Sequence, residues 1–173
     1  MITVTDKTDK PNHAPAEAPT IESIIILNGS AILKYCYSIL CNHHDAQDAA
    51  QTTFIKAYTK KAGHNNPETL SAWLYRIAYH TCLDMLRKKK LHTLLIGRLP
   101  PQEASYETSL NWGISNELST ALAAIPPKDR ALFYSRAVED LDFKQLSDRF
   151  GQSAATLRKR YERIRKKLAL LLS

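Results

Sequence analysis

Residues 142–168, "DFKQLSDRFGQSAATLRKRYERIRKKL", constrain the fold more than any other stretch of this chain. Asp142 can cap a short helix through Phe150, Gly151 can take the positive φ that ends it, and Ser153 can cap a longer helix that follows. The pattern is helix, tight turn, helix, and Gly151 lets the chain turn sharply enough to set the second helix across the first. In that second helix Leu157, Tyr161, Ile164 and Leu168 recur at steps of four, three and four, so they line one side and must pack on earlier helices. Ala155, Lys159, Glu162, Arg163 and Lys166 fall on the opposite side, with Arg158 and Arg160 on the flanks.

The same stretch holds nine Lys and Arg against three acidic residues, so +6 of the chain's net +7 lies there. A basic patch confined to one end suits a polyanionic partner, nucleic acid or an acidic membrane surface; a solvated charged face shows the same excess. A packed apolar seam with a basic outer face is what a recognition helix needs, because it must be held rigidly while side chains enter the major groove and its flanks meet phosphates. A basic amphipathic helix for a membrane or a partner protein shares this periodicity, and the helix–turn–helix geometry favours DNA.

The rest of the chain also reads as helix, punctuated by turn formers. Residues 20–41 place Ile24, Leu27, Leu33, Tyr37 and Leu40 at helical intervals, with a break expected at Asn28-Gly29 and a fresh start at Ser30. Asp45 is expected to cap a helix to about Lys61, its apolar face Ala46, Ala50, Phe54, Ala57 and Tyr58. Pro67 suits the first turn of a third helix, which carries Leu70, Trp73, Leu74, Ile77, Ala78, Cys82 and Leu86 and is expected to end in Arg87-Lys88-Lys89-Lys90, where cations favour the helix dipole. Helices are expected at 115–124 and at 128–139, the latter turning Leu132, Phe133 and Val138 inward, around the stop at Ile125-Pro126-Pro127. The expected architecture is all-α: a disordered tail at 1–20, a helical domain at 21–90, a flexible linker at 91–114 and a small helix–turn–helix domain at 115–173.

Other chemistries find little support. No apolar run approaches the roughly 20 residues of a membrane span, and the N-terminus lacks a signal peptide's basic start and apolar stretch, so a cytoplasmic location is expected. Cys36, Cys41 and Cys82 form no CxxC pair and lie in apolar helical patterns, which predicts buried reduced thiols. His44 and Asp48 share a helix face but have no third ligand at a convincing spacing, so a helix start is preferred to a metal site, and a metalloenzyme using His43, His44 and Asp48 lacks its remaining ligands and base. No cofactor, metal or catalytic group is expected.

The segment "LSTALAAIPPKDRALFYSRAVEDLDFKQLSDRFGQSAATLRKRYERIRKKL" resembles the C-terminal promoter-binding domain of bacterial RNA polymerase sigma factors of the extracytoplasmic-function (ECF) group. "DAQDAAQTTFIKAY" followed by "LSAWLYRIAYHTCLDMLRKKK" is similar to that group's N-terminal domain. Two blocks in the right order, together spanning roughly residues 21–170, are more specific than either alone. The resemblance implies an N-terminal domain that docks on the largest subunit of core polymerase and captures the melted minus-10 element, and a C-terminal domain that reads the duplex minus-35 element.

Residue by residue, the resemblance assigns Asp48, Gln51 and Phe54 to polymerase docking and Trp73, Tyr75, Arg76 and Ile77 to the minus-10 helix, with His80 where Asn is common. The loop at 63–68 takes the place where a flipped base of the non-template strand is held, and His64 and Asn65 can supply a stacking or hydrogen-bonding edge. Arg87 and Lys88 can meet phosphate near that surface. Ser153, Ala155, Thr156, Arg158, Lys159, Arg160, Glu162, Arg163 and Lys166 form the expected minus-35 set. Gln152 stands where an apolar residue is usual and Asp140 where Gly is frequent. The expected function is therefore promoter-specific initiation by core RNA polymerase, with an anti-sigma factor as a further partner; the alternative is a free-standing helix–turn–helix regulator of duplex DNA.

Overall fold

The structure, a computed structural model, describes residues 20–60, 67–97 and 116–173, and the secondary structure in them is helical throughout. His64 and Asn65 lie outside the described residues. Among the described residues seven helices follow in order: α1 (Ile21–Leu40), α2 (His43–Lys60), α3 (Pro67–Ile96), α4 (Asn116–Ala123), α5 (Pro127–Ala137), α6 (Phe143–Phe150) and α7 (Ala154–Leu172).

α1 runs unbroken through Asn28-Gly29. A glycine inside a helix costs about 1 kcal/mol, and burial of Ile24, Ile32, Tyr35, Cys36 and Ile39 along one face outweighs it. Asn28 also stays helical by donating from Nδ2 to the Ile24 carbonyl at 3.1 Å. Joining the two pieces has a second effect: Glu22–Leu40 becomes long and apolar enough, by length and composition alone, to cross a membrane. Its inner face is the core of the N-terminal bundle, while Ile25, Ile26 and Leu27 are exposed. Thr20, not Ser30, caps the helix, accepting from Ser23 N at 3.2 Å.

α2 starts three residues earlier than expected, because Asn42 Oδ1 accepts from Asp45 N at 2.9 Å and is the cap. Asp45 instead pairs with Lys89 of α3. Ala46, Ala49, Ala50, Thr53, Phe54 and Ala57 are buried, whereas Tyr58 is exposed. α3 continues through residues 91–96, so Arg87–Lys90 lie inside the helix, no cation stands in its last turn, and Gly97 at φ 64° follows its end. The dipole explanation for that basic run therefore fails. Residues 91–96, expected as the start of the linker, are therefore helix, and Gly97 stops it.

α1, α2 and α3 enclose one core and α4 to α7 a second, with Leu132, Leu146, Leu157, Ile164 and Leu168 at the centre of the second. α5 serves both: Ala131 and Tyr134 belong to the first core and Leu132 to the second. Val138 is exposed, contrary to expectation, since α5 ends at Ala137 and the chain turns away. Cys36 and Cys82 are buried free thiols, but Cys41 is only half-buried, in a left-handed conformation (φ 52°) after α1, where its Sγ accepts from Arg130 Nη1 at 3.1 Å. Burial pushes the Cys41 thiol up, with Arg130 opposing.

Candidate nucleic-acid interface

The helix–turn–helix is built by local chemistry. Asp142 Oδ1 accepts from Gln145 N at 2.8 Å while Gln145 Oε1 accepts from Asp142 N at 2.9 Å, a reciprocal cap on α6. Gly151, at φ 65°, ends α6, and its N–H donates to the Ser147 carbonyl at 2.8 Å. Ser153 Oγ then caps α7 through Thr156 N at 3.2 Å and lies 2.8 Å from Thr156 Oγ1, so both hydroxyls are engaged at the helix start. Leu157, Ile164 and Leu168 are buried and Tyr161 stacks on Phe133 at 6.2 Å, so the apolar seam is seated.

The opposite face of α7 is open. Ala155, Lys159, Glu162, Arg163 and Lys166 are exposed, and Thr156, Arg158, Lys159, Glu162, Arg163 and Lys166 line one shallow recess. Glu162 is partly occupied by Arg165 at 3.5 Å, and Arg158 lies over the Phe143 ring at 5.0 Å. Arg160 departs from the set: it is ion-paired with Asp129 of α5 and is mostly covered, which fastens α7 to α5.

On α3, Trp73, Arg76, His80 and Arg87 share one stripe, the first half-buried and the others exposed, as their spacing on a helix requires. Lys88 is exposed beside them, and Arg87 pairs with Asp84 at 2.9 Å. Tyr75 is turned the other way and is only 8% exposed, stacked edge-on to Tyr35 at 5.0 Å. Arg149 of α6 lies over it at 4.3 Å. Burial, with the nearby Glu139 carboxylate, holds the Tyr75 phenol well above its ordinary range.

Arg149 is the residue that sequence reasoning missed. Its side chain is 7% exposed and that of Glu139 12%. Its Nη1 donates to Glu139 Oε2 at 2.6 Å and to Ser135 Oγ at 2.9 Å. The signal was present in the spacing, since Arg149 lies three residues after buried Leu146 and so on the inward side of α6. Asp140, where Gly is frequent in the family, sits at φ 55°, a region that glycine enters freely and other residues enter at a cost of roughly 1 kcal/mol or more. Gln152 is half-buried, and nothing in the structure explains its polarity there.

On the far side of the N-terminal bundle, α1 and α2 form an apolar groove of about 480 Å³. Gln51 and Phe54 line it together with Ile25, Leu33, Ile55 and Tyr58. Asp48 is exposed on the same helix, 3.9 Å from His44. Among the described residues no group of three or more His, Cys, Asp or Glu comes together to hold a metal.

Sigma-70 region 2 matches residues 24–92 and sigma-70 region 4 matches residues 115–168. The chain belongs to the sigma-70 family, in its ECF group. It is 26% identical over 159 residues to the ECF RNA polymerase sigma factor SigE of Mycolicibacterium smegmatis, covering 88% of this chain and 62% of that protein. It is 25% identical over 158 residues to the ECF RNA polymerase sigma factor SigW of Bacillus subtilis, covering 84% of each. The all-α fold resembles that of the sigma factor RpoE in complex with the anti-sigma factor NepR from Bartonella quintana, with a TM-score of 0.72 at 22% identity, over 87% of this chain and 95% of that one. It also resembles CnrH in complex with the cytosolic domain of CnrY, with a TM-score of 0.61 at 20% identity, over 88% and 86% of the two chains.

Proposed function

We propose that this chain is an ECF sigma factor that gives core RNA polymerase its promoter preference, in the cytoplasm and with no catalysis of its own. Membership of a family with both regions present carries this reading and leaves the free-standing regulator without support. Residues 21–90 act on polymerase and the minus-10 element, and residues 115–173 on the minus-35 element. Asp48 and Gln51, beside the α1–α2 groove, dock polymerase; Phe54 mainly shapes that groove from the core side. Trp73, Arg76, His80, Arg87 and Lys88 meet the melted non-template strand, with His64 and Asn65 from the stretch that precedes α3.

On α7, Lys159 and Arg163 read base edges, while Ser153, Thr156, Arg158 and Lys166 hold the helix end and phosphates. Arg160 works from inside, by fixing α7 on α5. An anti-sigma factor is the expected inhibitor, in keeping with the complex of RpoE with the anti-sigma factor NepR.

Reaching both promoter elements requires the halves to part. Elements about 25 base pairs apart are separated by about 85 Å of duplex, whereas a folded chain of this length has a radius of gyration of roughly 16 Å. The stretch 98–115 can span at most about 60 Å when extended. Parting would lift Arg149 from Tyr75 and so make Tyr75 available to the melted strand. The test is reconstitution: the purified chain should co-elute with core polymerase and start transcription from a defined promoter. Asp48→Arg with Gln51→Ala should lose core binding at unchanged helix content, and full retention of core in a pull-down defeats the docking assignment.

A further inference from the structure

A cleft of about 640 Å³ lies between the second half of α3, the α4–α5 turn and α7, and of its lining only Arg87, Arg160 and Arg163 carry roles above. Its floor is apolar, made by Leu83, Leu86, Ile125 and Ile164. Cations from three separate elements rim it: Arg87 and Lys90 of α3, Lys128 of α5, and Arg160, Arg163 and Lys167 of α7. The one carboxylate in its lining among the described residues, Asp129, is already taken by Arg160. Lys90, Lys128 and Arg163 have no anionic partner among the described residues, so like charges converge here without compensation. The first turn of α5, an 11-residue helix, also lines the cleft and adds the positive end of its dipole.

We propose that this cleft binds a small organic polyanion with a flat apolar group, of the nucleoside polyphosphate class. The volume falls within the roughly 300–1,000 Å³ typical of small-ligand sites. Phosphates would lie against Lys90, Lys128, Arg87 and Arg163, and the ring against Leu83, Leu86 and Ile125. A ligand so placed ties α3 to α7 and occupies Arg87 and Arg163. It therefore opposes the parting of the halves and competes with promoter DNA, a consequence that rests on the function proposed above.

The experiment uses the full chain with ATP, GTP and inorganic tripolyphosphate as probes, titrated by calorimetry at physiological salt. One nucleotide should bind per chain, and tripolyphosphate should bind at least about tenfold more weakly for want of the apolar floor. Lys90→Glu with Lys128→Glu should lower nucleotide affinity at least about tenfold, whereas the charge-matched pair Lys60→Glu with Lys144→Glu, on exposed positions away from the cleft, should not. Circular dichroism of both pairs reports folding, which neither pair should disturb, since none of the four contributes to a core. The proposal is overturned if neither nucleotide saturates below millimolar concentration, if tripolyphosphate binds as well as the nucleotides, or if both charge pairs lose affinity alike. Anisotropy of a labelled minus-35 duplex then separates the two readings. Nucleotide that binds without displacing the duplex overturns the competition, while a chain that binds nucleotide but no duplex overturns the minus-35 assignment and leaves the site standing.

Discussion

Arg149 gives the sharpest test of how the two halves are held together. Arg149→Ala removes a 2.6 Å ion pair with Glu139, a 2.9 Å hydrogen bond to Ser135 Oγ and a cation–π contact to Tyr75 at 4.3 Å. It also leaves the Glu139 carboxylate, whose side chain is 12% exposed, without a counter-charge. Breaking a buried pair from one side costs about 3–5 kcal/mol, a large part of the 5–15 kcal/mol that stabilises a typical domain. Replacing both partners with uncharged groups of similar shape, Arg149→Met with Glu139→Gln, should restore all but about 1 kcal/mol, because no ion is then stranded. Equilibrium urea unfolding followed by circular dichroism, applied to the unsubstituted chain, Arg149→Met, Glu139→Gln and their combination, gives the four corners of a double-mutant cycle beside Arg149→Ala. Distance measurement between labels on α2 and α7 reports the closed form in parallel, and it should lengthen for Arg149→Ala. The reasoning is refuted if Arg149→Ala costs less than about 1 kcal/mol, the range of an exposed pair, with the label distance unchanged.

Further expectations concern pH, backbone strain and base reading. Burial pushes the phenols of Tyr35, Tyr75, Tyr79 and Tyr134 up, that of Tyr134 to about 12. The folded chain thus keeps these protons while the unfolded chain releases them above about pH 10, so the stabilisation is complete below that pH and is lost as pH rises. Urea midpoints should fall between pH 9 and 11 by an amount that shrinks in Tyr134→Phe, and tyrosine absorbance showing all eight phenols ionising together near 10 in the folded state would falsify it. Asp140→Gly should be stabilising by up to about 1 kcal/mol in thermal unfolding, since it relieves the positive φ and loses only an ion pair whose carboxylate side chain is 92% exposed. Lys159→Ala and Arg163→Ala should relax minus-35 preference by about 1–3 kcal/mol per good contact, whereas Lys166→Ala should weaken all sequences alike and lower the salt slope by about one; equal shifts across a panel of variant duplexes would reassign the reading face.

Sequence alone determined much of what depends on neighbours within a turn or two, although at α1 and α2 it favoured Ser30 and Asp45 over the caps Thr20 and Asn42. Caps at Asp142 and Ser153, the left-handed Gly151 and the Leu157–Leu168 seam rest on contacts four residues apart or fewer, and they appear where the pattern put them. The outward face of α7 was legible for the same reason: one angle per residue decides it. Tertiary structure decided what depends on partners distant along the chain. A helical wheel cannot say that Arg160 meets Asp129, 31 residues away, or that Cys41 meets Arg130, 89 away. Nor can it say that Lys89 meets Asp45 across 44 positions. Tyr75 and Arg149 are the clearest case, since an aromatic on an amphipathic helix and an arginine in a basic stretch both suggest a nucleic-acid surface, yet packing of α6 on α3 turns them toward each other. The continuity of α1 belongs here as well: local propensity favours a break at Asn28-Gly29, and only the apolar surface that the continuous helix buries against α2 and α3 overrides it.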